Sequence, residues 1–377
     1  MPQLRIALAQ VNPTVGDLAG NADLVVRYTR RAAERGASLV AFPEMVLTGY
    51  PVEDLALRAS FVDASRAALH DVAGRLAREG LAELPVIVGH LDRLAEAEQR
   101  VGRPAGAPLN AAAVLHRGGV AATYAKHHLP NYGVFDEFRY FIPGGRFPVL
   151  RLRGVDVGLA ICEDLWQDGG PVTVARQARV GLLAVANASP YEAGKLDARV
   201  DLARRRAREA GATLAFVNMV GGQDELVFDG GSVVVEPDGE LAARAPQFEQ
   251  TLLVADLDLP PARDTPPVEG AVDAADGTAM TTVPVALPAE PLPPYEPAEA
   301  MDAPRLGRLE EIYTALVTGT RDYARKNGFA SAILALSGGI DSALTATVAA
   351  DAVGPANVHA VLLPSRYSSE HSVRDAE

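Results

Sequence analysis

The stretch Val155-Asp156-Val157-Gly158-Leu159-Ala160-Ile161-Cys162-Glu163-Asp164-Leu165-Trp166 is an apolar run that stops at the only cysteine of the chain. Such a run reads as a buried strand and the acidic pair after it as a sharp turn, which is where a scaffold presents a reactive group to a pocket. A lone cysteine without context is more often an inert core residue. The strand-then-turn context favours a nucleophile instead. A free thiol has a pKa of roughly 8.5 and reacts as thiolate, so a catalytic Cys162 needs a base and a nearby positive charge. Two other segments offer them: Phe42-Pro43-Glu44 closes an earlier apolar run, and Tyr124-Ala125-Lys126-His127-His128-Leu129-Pro130 puts a lysine just after another.

Outward from that stretch, strand-like runs recur at Leu4–Ala9, Leu39–Phe42, Val86–Gly89, Ala111–Leu115, Leu182–Ala186, Ala212–Val217 and Ser232–Val235. Helix-like stretches rich in Ala, Arg and Glu lie between several of them, at Asn21–Arg35, Ala59–Glu79, Val172–Ala178 and Leu196–Ala210. Strands alternating with helices, some strands apolar throughout, predict an α/β architecture with sheets covered by helices. Leu252–Asp256 reads as the last strand of this unit, and Pro260–Pro304 is rich in Pro, Ala, Asp and Gly with little periodicity. The division expected is therefore a first domain over residues 1–258, a linker over 259–303 and a second domain over 304–377. In the last, Arg305–Lys326 has helical spacing, Ser331–Leu336 is an apolar strand, a helix runs from the following loop to about Ala352, and Val358–Leu363 is another strand. Two strands and two helices do not bury both faces of a parallel sheet, so the second domain is expected to be incomplete.

Composition narrows the function classes. A chain of 377 residues with 48% hydrophobic residues has ample core for two domains. Its net charge of -13 argues against a nucleic-acid or anionic-membrane surface, because such partners need a positive field; small soluble ligands fit better. One cysteine excludes an internal disulfide framework and a cysteine-based zinc site, which suits a cytoplasmic setting. The N-terminus lacks the pattern of a signal peptide, and no run approaches the roughly 18 apolar residues of a membrane span. Adjacent residues on a strand point to opposite faces, so the pair His127-His128 is not read as a metal site. Arg204-Arg205-Arg206 and Arg208, near Asp197, Asp201 and Glu209, read as a solvated, ion-paired helix face rather than a nucleic-acid patch. Trp166 suits a pocket wall and a core position equally.

Glu44, Lys126 and Cys162 are of the types that thiol-based amide hydrolysis needs. A carboxylate takes the thiol proton, an ammonium stabilises thiolate and oxyanion, and the sulfur attacks the carbonyl carbon. The wording around each residue carries more than its type: Ala41-Phe42-Pro43-Glu44 with Leu47-Thr48-Gly49-Tyr50, Lys126 with Leu129–Glu137, and Gly158–Trp166 resemble the nitrilase superfamily. That resemblance implies a Glu-Lys-Cys triad on a four-layer αββα sandwich. It gives Glu44 as base, Lys126 as oxyanion stabiliser and Cys162 as nucleophile, with the N–H after Cys162 completing the oxyanion hole.

The loop Ser337-Gly338-Gly339-Ile340-Asp341-Ser342 lies between a strand and a helix. Its glycines let backbone N–H groups approach phosphate, its serines add donors, and the helix N-terminus adds a favourable dipole. With the downstream Leu363-Pro364-Ser365-Arg366-Tyr367-Ser368-Ser369, it resembles the pyrophosphatase loop of enzymes that adenylate a substrate with ATP, the start of a doubly wound parallel-sheet domain. A nitrilase-like domain joined to such a loop is similar to the glutamine-dependent NAD synthetase family, and the similarity spans the chain apart from the expected linker. That resemblance implies a ligase with glutaminase activity: Cys162 releases ammonia from glutamine, and ATP with Mg2+ activates deamido-NAD for amidation to NAD. It implies glutamine-pocket roles for Tyr50, Tyr132 and Glu137, with Glu137 orienting Lys126 or binding the substrate's ammonium, and carboxylate-binding roles for Ser189 and Lys195 within Asn187–Lys195. It places Ser337, Gly338, Gly339, Asp341, Ser342 and Arg366 in ATP binding, and implies a homo-oligomer. Such synthetases continue well beyond the Pro364–Ser369 segment, so the second step is expected to be crippled. A stand-alone amidase on another small amide and a non-catalytic assembly fragment are the alternatives.

Overall fold

The computed structural model describes residues 3–94, 106–264, 269–289, 295 and 297–377. The chain begins with β1 (Gln3–Gln10), α1 (Leu18–Glu34), β2 (Leu39–Ala41), α2 (Ala59–Arg78), β3 (Val86–Arg93), β4 (Pro108–His116) and β5 (Gly119–Ala125). It continues through α3 (Glu137–Tyr140), β6 (Arg146–Leu152), β7 (Val155–Ile161), α4 (Gly170–Ala178), β8 (Leu182–Asn187), α5 (Lys195–Ala210) and β9 (Thr213–Asn218). Then come β10 (Val220–Gln223), β11 (Leu226–Asp229), β12 (Val233–Val235), β13 (Leu241–Arg244) and β14 (Thr251–Asp258). The remainder holds β15 (Gly270–Asp273), β16 (Ala279–Leu287), α6 (Arg308–Lys326), β17 (Ala332–Ala335), α7 (Ile340–Val353), β18 (Val358–Val361) and α8 (Glu370–Ala376).

Two mixed sheets face each other. One has the order β14-β1-β2-β3-β4-β5 and the other β13-β12-β9-β8-β7-β6-β16-β15. Alternation along β1 shows how the layers form: Leu4, Ile6 and Leu8 enter the cluster shared with β7, β8 and β9, whereas Ala7 and Ala9 pack with Leu24, Val25 and Ala32 of α1. Successive side chains on a strand leave opposite faces, so one strand serves both the inter-sheet core and the helix layer. On α1, buried Ala22, Val25, Val26, Thr29 and Ala32 recur at three- and four-residue spacing, and the Asp17 carboxylate caps the helix by accepting from Gly20 N at 2.9 Å. The parallel run β7-β8-β9 is buried along its whole length, as strands covered on both faces must be. Each buried Leu or Val there contributes about 1.5–3 kcal/mol relative to exposure. The four-layer αββα sandwich expected from the resemblance is the observed fold. Among the described residues, no helix is long and apolar enough to cross a membrane.

The stretch read as a linker is not without structure. β16 joins the second sheet in parallel with β6, in register from Thr281 opposite Arg146 to Leu287 opposite Leu152, and β15 pairs antiparallel with it. Pro284 and the neighbouring threonines hid this strand in the sequence. Beyond Thr282, β16 pairs on one side only among the described residues, so the missing N–H of Pro284 costs no ladder bond there on the other side. Part of the expected linker, residues 265–268, 290–294 and 296, lies outside the described residues.

The C-terminal segment docks through α6. Asp322 Oδ2 accepts from Asn12 Nδ2 at 2.7 Å and from Gly222 N at 2.8 Å, and Lys326 Nζ donates to Pro13 O at 2.8 Å. Burial lowers the Lys326 pKa to about 8, against the opposing pull of Asp322. Beyond α6, β17 and β18 form a two-stranded parallel sheet with α7 as crossover.

Candidate active site

Cys162 lies where β7 ends and a single 3-10 turn begins, with φ of +40°. A non-glycine residue in the left-handed region is sterically costly and persists only where its surroundings hold it. Asp164 is the holder. Its Oδ2 accepts from Ile161 N at 2.8 Å and Tyr124 Oη at 2.7 Å, and its Oδ1 accepts from His127 N at 3.1 Å and His128 N at 2.9 Å. One fully buried carboxylate thus ties the cysteine turn to the chain that follows Lys126.

Glu44, Lys126 and Cys162 come together, as the family resemblance implied. Lys126 Nζ donates to Glu44 Oε1 at 2.8 Å and to Glu137 Oε1 at 2.9 Å. Glu44 is further fixed by Asn110 Nδ2 at 2.6 Å on Oε1 and by the Ala188 N–H at 3.0 Å on Oε2. Burial pushes the Cys162 thiol well above its ordinary pKa, and the Glu44 charge adds to that, while Lys126 opposes it. Burial alone would lower the Lys126 pKa, but Glu137 and Glu44 outweigh it and hold the ammonium charged. Burial raises Glu137 to about 7, against the pull of Lys126. Chemically, the cluster sets a thiol whose neutral form burial favours against a carboxylate able to take its proton.

The cavity beside Cys162 measures about 420 Å³ and is lined by Tyr132, Glu163, Trp166, Ser189 and Lys195, among others. Tyr132 Oη donates to Glu163 Oε2 at 2.8 Å. Trp166 is therefore a wall residue. Tyr50 Oη donates to Glu137 Oε1 at 2.9 Å, and both are buried off the cavity lining; the bond from Lys126 Nζ to Glu137 Oε1 fits the expected role of Glu137 in orienting Lys126. Lys195 opens α5, 3.6 Å from Glu192, and Ser189 is held through its backbone by Asn218 and Arg199.

Residues that sequence reading passed over hold the cavity walls. Arg206, read as part of a solvated face, is 1% exposed; its Nε donates to Leu165 O at 2.5 Å and its Nη2 to Gln167 O at 2.7 Å, bracing the cysteine turn. Arg199, one turn pair earlier on α5, pairs with Asp229 and reaches Ser189 O at 3.2 Å. Glu311 of α6 accepts from Gln247 Nε2 at 3.2 Å and from Gly194 N at 3.5 Å, so the C-terminal segment touches the loop that carries Lys195. A buried arginine inside a charged helix repeat gives no local signal, because only the tertiary neighbour distinguishes it from its exposed siblings.

The strand-alternation argument against the pair His127-His128 fails. β5 ends at Ala125, so the two residues lie outside the strand, and both rings turn to Asp276, at 2.8 and 3.0 Å from its Oδ2.

The second set of expected residues lies apart and exposed. Ser337 Oγ and Ser342 Oγ are 3.1 Å apart, Ser342 Oγ donates to Gly339 O at 2.8 Å, and Asp341 is in the first turn of α7. Gly338 has φ of +79°, and a Cβ there would meet Ser372 O of α8 at 2.2 Å, so only glycine fits. Arg366 lies over the ring of Tyr367 at 5.5 Å from its centroid.

A buried carboxylate–lysine–cysteine cluster on a four-layer sandwich defines a hydrolase of carbon–nitrogen bonds. The chain belongs to the carbon-nitrogen hydrolase family, which matches residues 5–267, and the NAD synthase family matches residues 312–377. It is 40% identical over 384 residues to the glutamine-dependent NAD(+) synthetase of Thermotoga maritima, covering 100% of this chain and 63% of that protein. For the enzyme of the same name from Rhodobacter capsulatus the values are 41% over 375 residues, 99% and 59%. The chain thus spans about three fifths of the length of these curated relatives. The glutamine-dependent NAD+ synthetase of Acinetobacter baumannii, solved with ADP, superimposes with a TM-score of 0.80 at 34% identity, covering 99% of this chain and 62% of that one. An amidase from Nesterenkonia sp. superimposes with a TM-score of 0.55 at 30% identity, covering 67% and 90%.

Proposed function

We propose that this chain carries the glutaminase half, and the opening of the ATP-dependent half, of a glutamine-dependent NAD synthetase. The observation that carries the reading is the Glu44–Lys126–Cys162 cluster set against a cavity whose far wall offers Ser189 and Lys195. A glutamine side chain entering that cavity would bring its amide carbon to the sulfur. Glu44 takes the thiol proton and returns it to the departing nitrogen, so that a thioester forms and ammonia leaves. Water, deprotonated by Glu44, then attacks the thioester, and glutamate departs with the thiol restored. The Lys126 ammonium and the N–H after Cys162 stabilise each oxyanion. Lys195, at the opening of α5, suits the α-carboxylate, with Ser189 as hydrogen-bond donor.

In the synthetase reaction, deamido-NAD carboxylate attacks ATP to give an adenylate and pyrophosphate, and ammonia displaces AMP to give NAD. The residues present fit the phosphate-binding part of that site: the N-terminus of α7, the close-packed Gly338 and the hydroxyls of Ser337 and Ser342 would hold phosphate oxygens. Asp341 would face Mg2+, and Arg366 would meet phosphate charge. The contact between Glu311 and Gly194 supports glutamine as the first substrate over another small amide, because it ties the carboxylate-binding loop to the ATP segment. The division at 258 and 304 and a homo-oligomeric state belong to the same reading, and light scattering checks the latter.

The test is intact mass after treatment with a glutamine-mimicking electrophile. One adduct on Cys162, blocked by excess glutamine, is the expected result. Cys162→Ala should take no adduct and lose glutamine hydrolysis by at least about 10⁴-fold in kcat. Labelling of folded protein by a generic thiol reagent alone would point to another amide substrate.

A further inference from the structure

His127, His128 and Asp276 bring three ligand atoms within 4.8 Å of one another, at the mouth of a second cavity of about 940 Å³. With His127 neutral, the hydrogen-bond roles at this cluster do not close with protein atoms alone; either a protonated ring or a bound cation closes them. His127 Nδ1 lies 2.7 Å from Gly144 O and its Nε2 lies 2.8 Å from Asp276 Oδ2, so both ring nitrogens face acceptors. A neutral imidazole donates from one nitrogen only. With Nδ1–H given to Gly144 O, the Nε2 lone pair faces a carboxylate oxygen at 2.8 Å, with the Thr278 hydroxyl farther off at 3.3 Å. His128 meets the same carboxylate, with Nε2 at 3.0 Å from that Oδ2, while its buried Nδ1 has no hydrogen-bond partner and lies 3.9 Å from Asp164 Oδ1.

We propose that His127 Nε2, His128 Nε2 and Asp276 Oδ2 bind one borderline divalent cation, Zn2+ in the first instance, which clasps the turn between β15 and β16 to the segment carrying Lys126. Such an ion gives both Nε2 atoms and Asp276 Oδ2 one role each. Each Nε2 lone pair coordinates, Nδ1–H of His127 donates to Gly144 O, and Nδ1 of His128 lies 3.9 Å from Asp164 Oδ1. Metal-binding histidines commonly present that outward N–H to a carbonyl or carboxylate. Tetrahedral ligands at roughly 2.0–2.1 Å from Zn2+ stand about 3.3 Å apart, so the observed 2.8 and 3.0 Å need open by only a few tenths of an ångström. Water from the cavity completes the four. Asp276 is held for the task by Thr278, whose N and Oγ donate to Oδ1 at 2.9 and 2.6 Å, leaving Oδ2 to the cluster. The wall behind it is made of glycine: a Cβ on Gly170, at φ of +57°, would stand 2.4 Å from His128 Cε1, and one on Gly169 2.9 Å from Asp276 Cβ.

The ion's consequence for the first cavity follows from Asp164, which accepts the backbone N–H of both histidines. Fixing the two rings fixes the chain on either side of Lys126 and Cys162. The experiment is calorimetric titration of chelator-stripped full chain with Zn2+, beside Asp276→Asn and His128→Gln. His128→Gln keeps the N–H that Asp164 uses, so it carries the test if Asp276→Asn fails to fold. One site per chain is expected, weakened at least about 100-fold in both variants, with visible d–d bands but no thiolate charge-transfer band when Co2+ is used. Absence of binding, equal binding in wild type and folded variants, or a thiolate band that places the ion on Cys162 would each overturn the proposal.

Discussion

The turn at Cys162 and the loop Ser337–Ser342 both follow a short apolar strand and both open a helical turn, yet the protein holds them in opposite ways. β7 is buried along its length between β6 and β8, and four donors converge on Asp164 to lock the turn after it. Among the described residues β17 has β18 as its only sheet partner, and Ile333 on it is 75% exposed. Its loop is satisfied by its own serines. The difference separates a site whose geometry is complete before substrate arrives from one whose donors are free to turn to a ligand. Preorganisation here is a matter of buried side-chain bonds, not of the strand-loop-helix form itself.

Asp164→Asn should break that contrast most severely. It sets an amide NH2 against backbone and tyrosine donors, costing about 3 kcal/mol of unfolding free energy, and should slow labelling of Cys162 at least about tenfold. Thermal unfolding and labelling kinetics measure both. The next effect is pH-dependent. The Glu137 pKa is raised from an ordinary 4.5 to about 7, so the stability of its neutral form is fully present below about 4.5 and is lost as pH rises through about 7. Its buried Oε2 has no hydrogen-bond partner among the described residues. Glu137→Gln, which stays neutral, should therefore gain stability over wild type by about 2 kcal/mol between pH 5 and pH 8 in urea unfolding. Glu311→Ala removes the α6 contact to Gly194 and should raise KM for glutamine about fivefold, with kcat within about twofold. A larger fall in kcat would place the coupling in the chemistry. At the small end, Ser342→Ala should shift the melting temperature by less than about 1 °C, because an exposed hydroxyl bonded within its own loop contributes little.

Much of the fold was legible where periodicity was strong. The expected strands at Leu4–Ala9, Leu182–Ala186 and Ala212–Val217 and the expected helices at Ala59–Glu79 and Leu196–Ala210 lie within a residue or so of the observed elements. β6, β10, β11, β13, β15 and β16 were missed, since each is short, half-buried or interrupted by proline, and gains its strand character from neighbours. The triad types were legible because a thiol, a carboxylate and an ammonium each stood at a strand end. Asp164 was in plain view but had no distinguishing local pattern.

The sequence by itself determined that this is an α/β chain with a thiol at a strand end, a carboxylate and an ammonium at two others, and a glycine-serine loop before a later helix. Local rules suffice for that, because burial alternates along strands and helices with fixed periods and turns select their own residues. Tertiary structure alone decided that Tyr50 stands behind Glu137, that Arg206 is buried and braces the cysteine turn, and that two adjacent histidines meet one aspartate 148 and 149 residues away. Those are contacts between segments distant along the chain, and their energies depend on burial and partner geometry that no local window contains.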